Sequence, residues 1–472
     1  MRTIEHVQTP TSRRWSLRLA VAAGVILLFA LGAGAAAAAA GAKAPERIIF
    51  DWFAAPSWTR TFHGPGASHD SAEDVAITKG GVTYVAGTIG GGAAADASVM
   101  KLVNGVPAWP APKVYDSPYH SVDAADKMAL GPGNTIYTAG ESVGSNGMPD
   151  MLVIKWSSSG AVKWARRYDG PTHGVDQPTA VVVDSAGNVT AAGTAAGATS
   201  IDWVVVSWSA SGVKRWTSRY SAPGMTVPMD LVVAGDRSVY ATGGFATSAG
   251  QAALTVKYSS SGSTLWKRTY KGPAGFGAAS LAAVARPGGG VYVCGVTESA
   301  ATSEDGLVMS YTSSGARDVF ALDTGPGGNT LQRFTDLAVT STKQVVAVGT
   351  SATAGNYDCR VVSYTVDGTI AGGVTVPGAW DDAFEAVATD AFGGFYATGT
   401  YHTAVNKTAI LTTRGSVLTG GGGYLSLWEP AFVSEDNEAN AIAVRGATAI
   451  IVGEYSAGAA QGVDHLVLGY VY

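Results

Sequence analysis

The sequence predicts an all-β chain, an eight-bladed β-propeller of four-stranded antiparallel blades closed by pairing of an N-terminal strand with the C-terminal blade. Three observations predict it. A β-rich stretch ending in glycine recurs at Gly87, Gly140, Gly193, Gly243, Gly295, Gly349, Gly399 and Gly453, at intervals of 53, 53, 50, 52, 54, 50 and 54 residues. That period is the length of one propeller blade. KWSSSGAVKWARRYDGP at 155–171 returns as KYSSSGSTLWKRTYKGP at 257–273, and the two chain ends carry complementary fragments of the same unit.

Residues 1–44 read as a targeting segment. Arg13, Arg14 and Arg18 precede an uncharged apolar run from Leu19 to Ala42, and AAAAAAGAKA offers A-x-A cleavage points. SRRWSLR also resembles a twin-arginine export signal, with Ser16 where that pattern has Phe. The run is long enough to span a bilayer, so a cleaved signal peptide and an N-terminal membrane anchor both stand. Residues 45–56 are a short linker, and 57–472 form a single domain of eight repeats.

SWTRTF at 57–62, followed by HGP, matches the outermost-strand motif RWTSRY with no preceding strands of its own. The last repeat supplies AIAV, AIIVG and HLVLGYVY and stops without a fourth strand. Pairing Ser57–Phe62 beside His465–Tyr472 completes that blade and removes an exposed edge. Trp58 then takes the slot used by Trp164 and Trp266.

The clearest repeat shows four strands: VVVD at 181–184, VTAAG at 189–193, DWVVVSW at 202–208 and RWTSRY at 215–220, joined by SAGN and SASG turns. Runs such as LVIK and WVVV are apolar without alternation, as in a sheet covered on both faces. Four residues after each third turn glycine stands a tryptophan: Trp109, Trp164, Trp216 and Trp266. A flat residue at one fixed place per repeat reads as a spacer between blades. Arg166, Arg167, Arg219 and Arg268 on the outermost strand read as edge protection.

The pattern D-x-x-V-V-K-Y-S-S-S-G-x-x-x-W-x-R-x-Y-x-G-P resembles the SBBP-type bacterial β-propeller repeat family of exported and cell-surface proteins. The resemblance is strong in the second to fourth copies; Val319, Gly372 and Thr419 replace the tryptophan in the fifth to seventh. It implies a propeller fold and an exported or surface location. It implies no catalytic residues.

Composition excludes several function classes. Charged residues make up 14 % with a net charge of −5, so no basic footprint for nucleic acid exists. Cys294 and Cys359 are the two cysteines and provide neither a disulfide framework nor a Cys-rich metal site. They are expected to be buried, reduced thiols. The A-x-D part of a quinoprotein tryptophan-docking motif is absent, and the Asp of a sialidase box is missing.

What remains is a polar constellation placed by the repeat. Asp96, Asp150, Asp202, Asp305, Asp358 and Asp464 open the third strand, while Asp70, Asp123, Asp176, Asp382 and Asn437 lie five residues before the first. Both sets belong to one face of the disc, around the mouth of the central channel. His69, His120 and His173 precede the same lead-in loops. Asp70, Asp123, Asp176, His69, His120 and His173 are the candidate ligand-binding residues; the third-strand Asps could hold a metal, for which hard oxygen donors suit Ca²⁺. The alternative role for all these carboxylates is to accept hydrogen bonds from turn amides.

The expected function is an exported, non-catalytic binding module, secreted or at the cell envelope, that recognises an extracellular or envelope protein or glycan through this face. No catalytic residue and no organic cofactor are expected, the chain is expected to be monomeric, and the membrane is touched only if the N-terminal segment stays uncleaved. The alternative is an exported quinone-dependent dehydrogenase or hydrolase with its site at the same channel mouth.

Overall fold

The computed structural model describes residues 50–52, 56–64, 70–90, 95–247, 250–275, 277–299, 304–325, 331–353, 356–404, 407–416, 423–428, 437–456 and 463–471. The targeting segment and His69 lie outside them. Among the described residues there is no α-helix, and no helix is long and apolar enough to cross a membrane.

Strands follow one another as antiparallel meanders of four. The third repeat runs Asp176–Val183, Val189–Ala196, Ser200–Trp208 and Lys214–Tyr220, each paired with its sequence neighbour. The third and fourth meanders share a sheet through a short parallel contact of Ser200–Ile201 with Gly224–Met225. Within the 45–56 stretch, Phe50–Trp52 adds a short strand parallel to Gly423–Leu425.

Trp58–Phe62 pairs antiparallel with the last strand, from Trp58 opposite Gly469 to Phe62 opposite His465. The fourth strand of the C-terminal sheet therefore comes from the N-terminus, where the sequence places it. Among the described residues no sheet closes on itself as a barrel, and apolar side chains of neighbouring sheets pack together.

The recurring glycines have a structural cause that the sequence does not show. The first strand of the meander carries a one-residue register shift at the same place in seven repeats, as between Ala72 and Asp74, Pro178 and Ala180, and Ala439 and Ala441. In the second repeat the amides of Ala124 and Asp126 make the equivalent offset against Glu141 and Ala139. Each shift drives a first-strand carbonyl into the neighbouring strand, opposite the glycine. A Cβ at any of the eight positions would sit 1.8–2.1 Å from that carbonyl oxygen, 2.0 Å from Gln177 O in the case of Gly193. Only glycine fits there.

The apolar core lies between sheets. Val153 and Trp164 of the second repeat cluster with Val189, Val204 and Trp208 of the third, and the same arrangement repeats around the molecule. Ala72, Val75 and Met100 of the first repeat pack in turn on Ile450, Val452 and Val467 of the last, with Trp58 and Phe62 beside them. Each spacer tryptophan lies on the turn glycine of the next repeat: Trp109 on Gly160, Trp164 on Gly212, Trp216 on Gly262 and Trp266 on Gly315. Burying such a ring is worth about 2–3 kcal/mol.

Polar contacts reinforce the same seam. The Trp164, Trp216 and Trp266 indoles donate to the Ala210, Ser260 and Ser313 carbonyls of the next hairpin. Arg166 and Arg268 stack over Trp164 and Trp266 and donate through Nε to Gly212 O and Gly315 O at 2.7 Å. These arginines join one repeat to the next rather than shield an edge. Cys294 and Cys359 are fully buried free thiols, and desolvation pushes both well above the ordinary thiol range.

Candidate functional site

The lead-in carboxylates are buried and tie the preceding turn to the following loop. Asp70 accepts the amides of Gly64 at 2.5 Å and Gly90 at 2.7 Å; Asp176 accepts those of Gly170 at 2.5 Å and Ala196 at 3.1 Å. Asp123 takes the Ser117 amide at 2.6 Å and the Ser142 hydroxyl. Asp382 takes the His402 amide at 2.6 Å, and Asn437 Nδ2 donates to Thr408 O at 2.7 Å. Amide hydrogen bonds of this kind favour the charged form, while burial opposes it. At Asp176 desolvation prevails over the Gly170 and Ala196 amides, and its pKa is raised.

Grouping the carboxylates by repeat, as the sequence does, hides their actual partners. The third-strand Asp of one repeat meets the lead-in residue of the next, with a third side chain from the intervening turn. Asp96, Asp116 and Asp123 form one such group and Asp150, Asp169 and Asp176 the next, each with ligand-capable atoms all within 4.8 Å. Asp116 and Asp169 escaped the sequence reading, although both follow the outer-strand tyrosine in a Tyr-Asp pair.

Neighbouring groups differ in how their charge is met. Arg167 Nη2 bonds Asp150 Oδ2 at 2.8 Å and Arg219 Nε bonds Asp202 Oδ2 at 2.7 Å. Burial opposes ionisation of Asp202, but the Ser200 and Ser221 hydroxyls and the Arg219 guanidinium outweigh it and lower its pKa. In the first repeat Val114 occupies the place of Arg167, one residue before the tyrosine. Asp96 then faces Asp116 and Asp123, and desolvation together with those charges pushes its pKa up to about 6. Asp464 bonds the His63 Nδ1 at 2.7 Å. Asp358 accepts the Gly378 amide at 2.9 Å, and Asp305 is buried at the start of its strand.

His120 and His173 occupy left-handed backbone positions at φ 47° and 52°, in turns closed by their amides on Ser117 O and Gly170 O. Both rings are exposed, and their Nδ1 atoms contact Asp116 Oδ2 at 2.6 Å and Asp169 Oδ2 at 2.7 Å. The hydrogen bond to Asp169 raises the pKa of His173.

A second polar array lies on the first strands and was also missed. Asp74, Asp230 and Asp336 each follow the register shift, accept the next residue's amide at 2.7–2.8 Å, and accept a first-strand amide of the following repeat: Met128, Ala283 and Val387. Thr179 and Asn440 donate similarly to Pro228 O and Ala72 O of the next first strand. Desolvation pushes Asp230 up to about 6 and Asp336 up to about 7, against the amides and the attraction of Lys127. The recurring E-D-V, M-D-L and T-D-L triplets were the available signal.

No family model and no curated protein matches the chain. Solved structures do. Sqt1 of Chaetomium thermophilum bound to the N-terminus of ribosomal protein L10 is similar at TM-score 0.51 and 11 % identity, over 87 % of this chain and 98 % of that one. YCF48 bound to D1 peptide matches at TM-score 0.42 and 11 % identity, over 91 % and 99 %. An ulvan lyase, described as a new family of polysaccharide lyase, matches at TM-score 0.42 and 12 % identity, over 86 % and 95 %. The likeness to Sqt1 shows a propeller-type fold.

Proposed function

We propose that this chain is an eight-bladed propeller, its ring closed by Trp58–Phe62, that is exported and acts as a non-catalytic binding module through its Asp-bearing face. The ring reading rests on eight meanders, each packed on the next, and on the packing of the last against the first. One observation carries the binding reading. The loops and third-strand starts of that face expose Tyr119, Met148, Val175, Ile201, Tyr357 and Trp380, while the lead-in carboxylates between them are buried and fix the loops by accepting turn amides. Fixed loops presenting aromatic and apolar side chains suit recognition of a protein segment or a glycan. The short turns of the opposite face expose aliphatic side chains such as Val106, Val213 and Val366, with Phe392 as their exposed aromatic.

Screening the mature chain against envelope peptides and glycans by thermal shift tests this, since a ligand of the folded state raises the melting temperature. Trp380→Ala and Tyr119→Ala should weaken each hit at least tenfold and Val213→Ser should not. Hits that ignore both aromatic variants would move the site off this face.

A further inference from the structure

We infer that the junctions between the first and second repeats and between the second and third are Ca²⁺ sites. The reading goes beyond recognition of a macromolecule by this face, and either can fail without the other. Asp96, Asp116 and Asp123 at one junction, and Asp150, Asp169 and Asp176 at the other, bring three carboxylates within 4.8 Å of one another. Oxygens bound at about 2.3–2.6 Å to one Ca²⁺ lie within about 5 Å of each other, so the donors need little movement to share an ion.

Buried polar atoms left without a partner point to the same places. Asp150 is buried, its Oδ2 takes Arg167, and its Oδ1 has no hydrogen-bond partner. Ser117 is buried, its amide binds Asp123 Oδ2, and its hydroxyl has no partner either. Buried polar atoms are ordinarily paired, and an unpaired one in a native site calls for an ion or a water. A cation would engage the Asp150 oxygen and offset the repulsion among the carboxylates.

The adjoining junction is an internal control. Between the third and fourth repeats, Ser221 and Thr226 stand where the other junctions have their second and third Asp, and Asp202 is neutralised by Arg219. That junction is complete without an ion. At the two acidic junctions His120 and His173 bond the outer carboxylates through Nδ1, the place of a supporting residue around a ligand rather than of the ligand itself. Oxygen donors then make the site one for a hard cation. Because Arg167 reduces the charge at the second junction and Val114 does not at the first, the first binds more tightly.

Titration of the EGTA-stripped mature chain with CaCl₂ by calorimetry, with melting temperature followed in parallel, tests the assignment. Two sites are expected, with a rise in melting temperature. Asp116→Asn should weaken the tighter site and Asp169→Asn the weaker one by at least tenfold. Both side chains are exposed enough for folding to survive. Asp367→Asn, in an exposed turn between the third and fourth strands of the sixth repeat, should change neither. No heat and no thermal shift up to about 10 mM Ca²⁺, binding indifferent to both variants, or binding of Zn²⁺ but not Ca²⁺ would each overturn it.

Discussion

Trp58 lies against Gly105: a Cβ built on that glycine would come within 2.4 Å of Trp58 Cε2. Trp58 pairs with the last strand of the chain, and Gly105 turns the hairpin of the first complete repeat. One side chain thus joins the last repeat to the first by the same contact that Trp164 makes with Gly212. Trp58→Ala should cost about 2–4 kcal/mol, and removal of residues 45–63 should cost more, since the ladder to Gly469–His465 goes with it. Urea denaturation, against a parent chain begun at residue 45, measures both. A truncated chain as stable and as monomeric as the parent would refute the closure.

The repeat glycines should be intolerant even of alanine. Gly193→Ala places a Cβ 2.0 Å from Gln177 O, whereas Gly235→Ala meets nothing within 4 Å. Separation of the two strands should cost Gly193→Ala about 3 kcal/mol or more, and Gly235→Ala should stay within about 0.5 kcal/mol of the parent. Equal melting temperatures for the two variants would contradict the close approach.

Stability should fall as pH rises from about 5 to 8 through the first-strand carboxylates. Unfolded, Asp230 and Asp336 titrate near 3.8; folded, they titrate near 6 and 7. Between those values the folded state holds more protons, so raising pH favours unfolding. In melting-temperature profiles against pH, Asp336→Asn should flatten the parent's decline over that window. A decline of unchanged steepness would show that Asp336 is ordinary.

Cys294 and Cys359 should resist a thiol reagent in the native chain and react on unfolding, because both are buried and held protonated by desolvation. Two thiols labelled only in denaturant is the expected mass-spectrometric result. Rapid native labelling of either would contradict its placement.

The repeats, the four strands of each and the role of the spacer tryptophans were legible, since strand alternation, turn glycines and a fixed period are written in neighbouring residues. The recurring glycines were legible as a period and opaque as a cause. Their necessity comes from a register shift in the facing strand, about 16 residues earlier in the chain, as from Gly193 to Gln177.

The sequence by itself determined that this protein is an array of four-stranded β units whose last member is completed by Trp58–Phe62. The repeated unit follows from strand pattern and turn chemistry within about 50 residues, and its completion from the matching motif fragments at the two ends of the sequence. Only the tertiary structure decided which polar groups meet. Asp96 looks toward Asp116 and Asp123, Asp150 toward Asp169 and Asp176, and Arg166 toward Gly212 of the next repeat. Their contacts depend on how one twisted sheet is rotated and stacked on the next. No local periodicity encodes that, because side-chain alternation specifies the face of a strand and not the residue it will find across the seam.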